Sequence, residues 1–171
     1  PAFDASTFEL WAPLLHGAAC VVIPAHTLLD PQRFAHALCT YRVSVLWLTV
    51  GLFNQYASHL RDAFAALRYL LVGGDVLDPV RMADVLESCP PQHLLNGYGP
   101  TESTTFALTH LIPKSIDPAR SIPLGRPIHN TTVYILDSRL QPVPVGVRGE
   151  LYIGGDGVAL GYLNRPELTA E

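Results

Sequence analysis

The chain has 171 residues, of which 49% are hydrophobic and 15% are charged, and its formal net charge at pH 7 is −4. A chain of this length predicts one domain that buries roughly two-thirds of its unfolded surface, which argues against disorder. Its 11 basic residues form no run and are outnumbered by 15 acidic ones, so a nucleic-acid partner is disfavoured. Apolar runs such as 43–50 are shorter than the ~18 residues of a membrane span, and no secretory amino terminus is present. A cytoplasmic protein is expected.

Cysteine and histidine spacing argues against metal and disulfide chemistry. Cys20, Cys39 and Cys89 lack CxxC spacing and lie in apolar surroundings, which predicts buried, reduced thiols. The seven histidines show no HExxH or similar ligand spacing. No structural metal is predicted.

The first part of the chain alternates short apolar runs with helical patterns. Strands are predicted at 19–23, 43–48, 69–72 and 93–95. Helices are predicted over 7–15, over 30–42, through Leu52, Tyr56 and Leu60, and from Asp78 onward. The pairs Asp30–Pro31 and Asp78–Pro79 each place a capping carboxylate before a proline at the first helical position. This alternation predicts an α/β fold with a mostly parallel sheet and flanking helices.

After about residue 112 the chain becomes rich in proline and glycine. The runs 132–137 and 149–155 alternate apolar and polar residues, which predicts a small antiparallel β subdomain. We therefore divide the chain into an α/β part, 1–112, and a β-rich part, 113–171. The chain begins without methionine and ends on LNRPELTAE, a pattern typical of a helix start, so we expect an excerpt of a longer protein.

The segment NGYGPTE, residues 96–102, directly follows an apolar strand. Open α/β sheets bind ligands beyond the carboxyl ends of their strands. Gly97 and Gly99 let the backbone approach a ligand closely, and Tyr98 between them offers a stacking face. Thr101 can donate from its hydroxyl, and Glu102 is an oxygen ligand of the kind that Mg²⁺ takes beside phosphates. The segment suits a nucleotide; the alternative is a proline turn that caps a helix.

Four segments give the chain a family resemblance. They are FDASTFELW (3–11), NGYGPTE (96–102), IPLGRPIHNTTVYILD (122–137) and GELYIGGDGVALGYLNRPELTAE (149–171). The sequences of these segments and their order resemble the core motifs of the adenylate-forming, AMP-binding superfamily. The resemblance is strongest to the amino-acid-activating adenylation domains of non-ribosomal peptide synthetases. The resemblance implies that an amino acid and ATP form an aminoacyl-adenylate. The acyl group then passes to phosphopantetheine on a carrier domain, with carrier and condensation domains of the same multienzyme as partners.

The resemblance also implies a nucleotide site formed by Gly73, Gly74, Asp75, Asn96, Tyr98, Thr101 and Glu102. Asn96 would contact the adenine amino group and Tyr98 would stack on the ring. Thr101 would touch the α-phosphate and Glu102 would hold Mg²⁺. Asp4 would receive the α-ammonium group of the substrate; its alternative role is to cap the helix near Thr7.

By the same resemblance the substrate is held by Asp4, Ala5, Phe8, Trp47, Leu71, Gly73, Gly97, Gly99, Thr105 and Phe106. The three large aromatics narrow the pocket, and Gly73 and Gly97 are expected to leave room opposite them. A polar substrate side chain would find few partners, at a cost of about 1–3 kcal/mol. The implied substrate is a small branched aliphatic amino acid, with valine first and isoleucine next. The alternative for Trp47 and Leu71 is ordinary strand core.

Several family parts are missing from the sequence. It has no phosphate loop rich in Ser, Thr and Gly, and its lysine, Lys114, matches no catalytic position of the family. Because these parts are missing, the 171 residues alone are expected to be inactive. Leu160 stands where most relatives have arginine, which removes a charge next to the β-rich part. Two alternatives stay open: an acyl-CoA or aryl-acid ligase of the same superfamily, and a non-catalytic nucleotide-binding module.

Overall fold

The computed structural model describes residues 3–170, so Pro1, Ala2 and the final residue of the last motif, Glu171, lie outside the described residues. The helices are α1 (Ala5–Leu15), α2 (Ala25–Leu28), α3 (Pro31–Thr40), α4 (Val50–Tyr56), α5 (Arg61–Ala65), α6 (Pro79–Ser88) and α7 (Pro166–Ala170). The strands are β1 (Val45–Thr49), β2 (Tyr69–Gly73), β3 (His93–Tyr98), β4 (Leu108–Leu111), β5 (Arg126–Pro127), β6 (Thr131–Leu136) and β7 (Glu150–Gly155).

The larger sheet has five strands in the order β1-β2-β3-β4-β5, and β6 pairs with β7 in a separate antiparallel sheet. Strands β1, β2 and β3 are parallel to one another, and helices connect them. Strand β4 pairs antiparallel with β3, and β5 pairs antiparallel with β4. The α/β class and the small antiparallel sheet are confirmed, and the larger sheet is mixed. Because β5 pairs with β4, this sheet takes strands from both sides of the division predicted at residue 112.

The hydrophobic core lies on one face of this sheet. Leu48, Leu70, Val72 and Leu94 point to that face and pack against buried residues of α3 to α6. The rings of Phe53 and Phe64 stack with centroids 6.0 Å apart. Because side chains alternate along a strand, the intervening residues of β1 to β3 face the opposite side. That opposite face carries part of the candidate site.

Helix starts follow their capping residues. The Asp30 carboxylate accepts the backbone N–H groups of Gln32 and Arg33, and Asp78 accepts that of Val80. Each aspartate therefore satisfies N–H groups that the first turn leaves free. Helix α1 begins at Ala5, two residues before the predicted start.

The helix predicted through Leu52, Tyr56 and Leu60 is in fact two helices. Helix α4 ends at Tyr56 and α5 begins at Arg61. The Tyr56 hydroxyl donates to the Leu28 carbonyl over 2.9 Å, while Leu60 is fully buried between the two helices. Apolar spacing alone gave a single helix because all three residues pack into or against the core.

Two further sequence expectations are wrong. Residues 19–23 form no strand, and Val22 in their midst is 80% exposed. An apolar run becomes a strand only when another strand pairs with it, and none among residues 3–170 does so. The cysteines are free, as expected, but Cys39 is exposed and Cys20 is only half-buried; Cys89 alone of these three is buried. Within the same residues, no helix is long and apolar enough to cross a membrane.

Candidate active site

Asp4 lies at the start of α1, but its carboxylate does not cap that helix. Instead it accepts the Thr105 backbone N–H over 3.2 Å, and the Asp4 carbonyl accepts the Thr105 hydroxyl over 2.7 Å. Asp4 is half-buried, and no basic side chain forms an ion pair with it among residues 3–170. A half-buried carboxylate without a cation is able to receive an ammonium group.

The loop that carries Thr105 has an unusual backbone. Thr104 and Thr105 have φ angles of +58° and +75°, a region that costs β-branched residues on the order of 1–3 kcal/mol each. The loop is closed at its base by a 2.8 Å hydrogen bond from the Ala107 N–H to the Tyr98 carbonyl. A Cβ on Gly99 would lie 2.6 Å from the Thr105 carbonyl oxygen, so this position requires glycine. The strained turn brings Thr105 to Asp4.

Aromatic side chains gather on the sheet face opposite the core. Trp47 lies opposite Leu71 in the β1–β2 ladder, and its ring centroid is 5.8 Å from that of Phe3. Phe8 of α1 meets Phe106 edge to face at 5.5 Å. The Trp47 indole nitrogen is buried without a hydrogen-bond partner among residues 3–170. The structure therefore brings α1, β1 and the Thr105 loop together on this face.

The two glycines at this face do not leave open room. Gly73 lies opposite Gly97, and a Cβ on Gly73 would overlap the Gly97 carbonyl oxygen. A Cβ on Gly97 would lie 2.8 Å from Phe106 Cε1. Glycine is needed here because backbone and ring approach closely, so the expectation of space beside these residues is wrong.

The nucleotide residues predicted from the sequence lie at the carboxyl ends of β2 and β3. Strand alternation puts Asn96 and Tyr98 on the face opposite Gly97. Asn96 is buried, and its amide nitrogen donates to the Pro123 carbonyl over 2.9 Å, so its side-chain oxygen is the group left to accept. Gly74, with φ +84°, and Asp75 follow β2 in an exposed turn, where Asp75 accepts the Val76 N–H.

Glu102 belongs to the short 3-10 turn Thr101–Ser103 that follows β3, and both Thr101 and Glu102 are exposed. The Tyr162 hydroxyl donates to Glu102 Oε1. This bond lowers the pKa of the Glu102 carboxyl below its usual value, and a hydrogen bond from the backbone N–H of Glu102 lowers it further. Burial acts in the opposite direction and is the smallest of the three effects. The bond between the two side chains raises the pKa of the Tyr162 phenol.

The chemistry of Glu102 suits Mg²⁺. Among residues 3–170 no cluster of three or more His, Cys, Asp or Glu side chains could form a protein-only metal cage. Mg²⁺ needs no such cage, because it keeps several waters and binds through one or two carboxylates together with phosphate oxygens. A single exposed carboxylate in the turn that follows β3 therefore fits the ion.

Sequence reasoning missed Tyr162 as a partner of this turn. The residue is part of the last motif, GELYIGGDGVALGYLNRPELTAE, and that motif was the signal that could have identified it. Cavities do not identify the residue either: a cavity of about 410 Å³ lies against β6 and β7, and one of about 290 Å³ lies between the end of α3 and α5. Neither is lined by a predicted site residue.

Comparison with known proteins shows the family of the chain. Residues 1–163 match the family model described as AMP-binding enzyme, so the chain belongs to that family. It is 52% identical over 171 residues to malpibaldin synthetase of Mortierella alpina and 47% identical over 169 residues to tyrocidine synthase 3 of Brevibacillus parabrevis. These matches cover 100% and 99% of the chain, but only 3% of each of the two relatives.

Among solved structures, the chain is similar to PA1221, an NRPS protein containing adenylation and PCP domains. The TM-score is 0.87 at 37% identity, with 98% of this chain and 34% of that chain covered. The chain thus corresponds to part of the adenylation domain of a non-ribosomal peptide synthetase, and it spans a small part of each relative.

Proposed function

We propose that this chain forms the substrate end of an adenylation domain that activates an amino acid with ATP. The observation that carries the proposal is the contact between Asp4 and Thr105. It puts a carboxylate that has no ion-pair partner among residues 3–170 beside the loop that follows NGYGPTE. An α-ammonium group satisfies that carboxylate. A substrate acid without an amine would leave the negative charge of Asp4 uncompensated.

The substrate side chain lies against the apolar sheet face. Apolar contacts there come from the side chains of Phe8, Trp47, Leu71 and Phe106. Ala5, next to Asp4 in the sequence, is buried. Because Phe106 fills the space over Gly97, the remaining volume favours a small side chain over a large one. We infer a branched aliphatic amino acid, with valine first and isoleucine next, since one methylene changes binding by only about 1–3 kcal/mol.

The nucleotide lies along the carboxyl end of β3. Asn96 accepts from the adenine amino group through its side-chain oxygen, and Tyr98 stacks on the purine. Gly74 and Asp75 border the base, and the Thr101 hydroxyl donates to the α-phosphate. Glu102 holds Mg²⁺, which neutralises phosphate charge when bound.

The chain's residues act by positioning, because the nucleophile is the carboxylate of the substrate itself. That carboxylate attacks the α-phosphorus of ATP, the bond to the β,γ-pyrophosphate breaks, and aminoacyl-adenylate forms. Asp4 fixes the amine end of the amino acid, and Thr101 orients the phosphate. The acyl group then moves to a phosphopantetheine thiol on a carrier domain of the same multienzyme, with AMP as the leaving group, and a condensation domain uses the thioester.

The division into an α/β part, 1–112, and a β-rich part, 113–171, remains part of this proposal. We further propose that the 171 residues alone are inactive, because a phosphate loop and a catalytic lysine are not found in them. Consumption of ATP favours the cytoplasm as the location. Activity is therefore to be measured in the full-length gene product.

ATP–pyrophosphate exchange across a panel of substrates tests the proposal. The panel contains valine, isoleucine, alanine, phenylalanine and aspartate, together with isovalerate and benzoate, which lack the amine. We expect the largest kcat/KM for valine, with isoleucine within about tenfold to 200-fold. Exchange driven only by the acids without an amine would replace the proposal with an acyl or aryl-acid ligase. ATP binding without exchange for any substrate would favour a non-catalytic module.

A further inference from the structure

Residues 156–162, in the loop that joins β7 to α7, pack against the turn that carries Glu102. The Thr104 hydroxyl donates to the Gly157 carbonyl over 2.7 Å, and the Ala159 N–H donates to the Glu102 carbonyl over 2.7 Å. A Cβ on Gly157 would lie 2.8 Å from the Ser103 carbonyl oxygen. Contacts between residues more than fifty positions apart therefore fix the main chain from Glu102 to Thr104.

The Glu102 side chain itself is exposed, and one contact orients it among the described residues. An exposed glutamate samples several rotamers about its side-chain torsions. The Tyr162 hydroxyl donates to Oε1 and thereby selects one of them. This bond uses one carboxylate oxygen and leaves Oε2 available to bind a cation.

Tyr162 is in turn held by the segment that follows it. Its backbone N–H donates to the Thr169 hydroxyl over 2.9 Å, and that hydroxyl donates to the Arg165 carbonyl over 3.0 Å. Gly161 has φ +147°, and a Cβ there would overlap the Thr169 side chain. The main chain of Tyr162 is therefore held by contacts that do not involve Glu102.

We propose that Tyr162 is a positioning residue that orients the Glu102 carboxylate so that Oε2 faces the Mg²⁺ of MgATP. This inference rests on the proposed function, because it takes Glu102 as the metal ligand. It assigns a role to the last motif of the sequence, which neither the substrate pocket nor the nucleotide contacts explain. Tyr162 does not touch substrate in this role; it acts through Glu102.

The experiment uses the full-length gene product as wild type, Tyr162→Phe, Glu102→Gln and the double variant. Tyr152→Phe is the matched control, because Tyr152 is 41% exposed against 43% for Tyr162 and its hydroxyl makes no hydrogen bond among residues 3–170. Two quantities are measured: the Mg²⁺ concentration for half-maximal exchange, and Mn²⁺ affinity in the presence of ATP by electron paramagnetic resonance.

We expect Tyr162→Phe to raise the half-maximal Mg²⁺ concentration and to weaken Mn²⁺ binding by about threefold to tenfold. The KM for the amino acid stays unchanged, and Tyr152→Phe behaves as wild type. In the Glu102→Gln background, removal of the Tyr162 hydroxyl has no further effect, because the two residues act as one unit.

The outcomes separate this inference from the function on which it rests. Weaker Mn²⁺ binding in Glu102→Gln, with wild-type binding in Tyr162→Phe, overturns the inference alone. Unchanged metal dependence in Glu102→Gln overturns the metal role of Glu102 itself. A Tyr162→Phe protein that melts earlier and loses amino-acid and metal affinity together contradicts a positioning role, because the tyrosine is then a general anchor of the loop.

Discussion

The Thr105 backbone N–H donates to the Asp4 carboxylate over 3.2 Å, and the Thr105 hydroxyl donates to the Asp4 carbonyl over 2.7 Å. These residues are 101 positions apart, so this pair ties the first helix to the loop after β3. The bond to the carboxylate comes from a neutral amide, and no basic side chain among residues 3–170 forms an ion pair with this negative charge. Asp4 is thereby fixed in place and available to a ligand.

Asp4→Asn separates charge from shape at this position. The amide keeps an oxygen that accepts the Thr105 N–H, but it cannot form an ion pair with an ammonium group. A hydrogen bond to a charged group contributes about 1.5–3 kcal/mol, so we expect the KM for the amino acid to rise by about tenfold or more. Exchange kinetics measure this, and thermal unfolding serves as the control and should match wild type. An unchanged KM would refute the role of Asp4.

Trp47→Ala tests whether this side chain limits the substrate. Removing the indole on the apolar sheet face opens space for larger apolar side chains, so we expect the ratio of kcat/KM for phenylalanine to that for valine to rise by about tenfold. Val45→Ala, in the same strand at an exposed position, is the control. If selectivity does not change while stability falls, Trp47 is a strand residue without a role in the pocket.

Gly73→Ala and Gly51→Ala form a matched pair for stability. The added methyl at Gly73 overlaps the Gly97 carbonyl in the neighbouring strand, where the backbone cannot easily move. We expect a loss of about 3 kcal/mol or more in the free energy of unfolding. Gly51 lies in α4 with nothing near its Cβ position, so alanine there should stabilise by roughly 0.5–1 kcal/mol. Denaturant unfolding measures both, and similar values would contradict the close approach of β2 and β3.

The bond between Tyr162 and Glu102 gives a defined pH dependence. The folded-state pKa of Glu102 is lowered, so the stabilisation is complete above the ordinary value of 4.5 and is lost as the pH falls through the lower folded-state pKa. The folded-state pKa of Tyr162 is raised, so the stabilisation is complete below 10.0 and is lost as the pH rises through the higher folded-state pKa.

The measurement is the difference in unfolding free energy between wild type and Tyr162→Phe as a function of pH. We expect a constant difference between pH 4.5 and 10.0 that shrinks on both sides of this window. Tyr152→Phe should show no such profile. A difference that does not vary with pH would mean that the hydroxyl stabilises the loop without the carboxylate.

The sequence by itself determined the elements whose causes are local. Asp30 and Asp78 predicted their helix starts because a carboxylate bonds to N–H groups two or three residues away. The apolar runs at 43–48, 69–72 and 93–95 predicted strands that the structure contains. The motif NGYGPTE follows the strand predicted at 93–95, and the structure places it at the carboxyl end of β3; its nucleotide role stays a prediction.

Only the tertiary structure decided features that depend on contacts between distant segments. Residues 19–23 have the composition of a strand. A strand forms only when another strand pairs with it, and no strand among residues 3–170 pairs with this segment. Gly73 requires glycine because of the neighbouring strand, and Gly97 because of the Phe106 ring; no local pattern reveals either contact. Tyr162 reaches Glu102 across 60 positions for the same reason. Local hydrogen bonds can be read from sequence spacing, whereas pairing and close packing depend on the path of the whole chain.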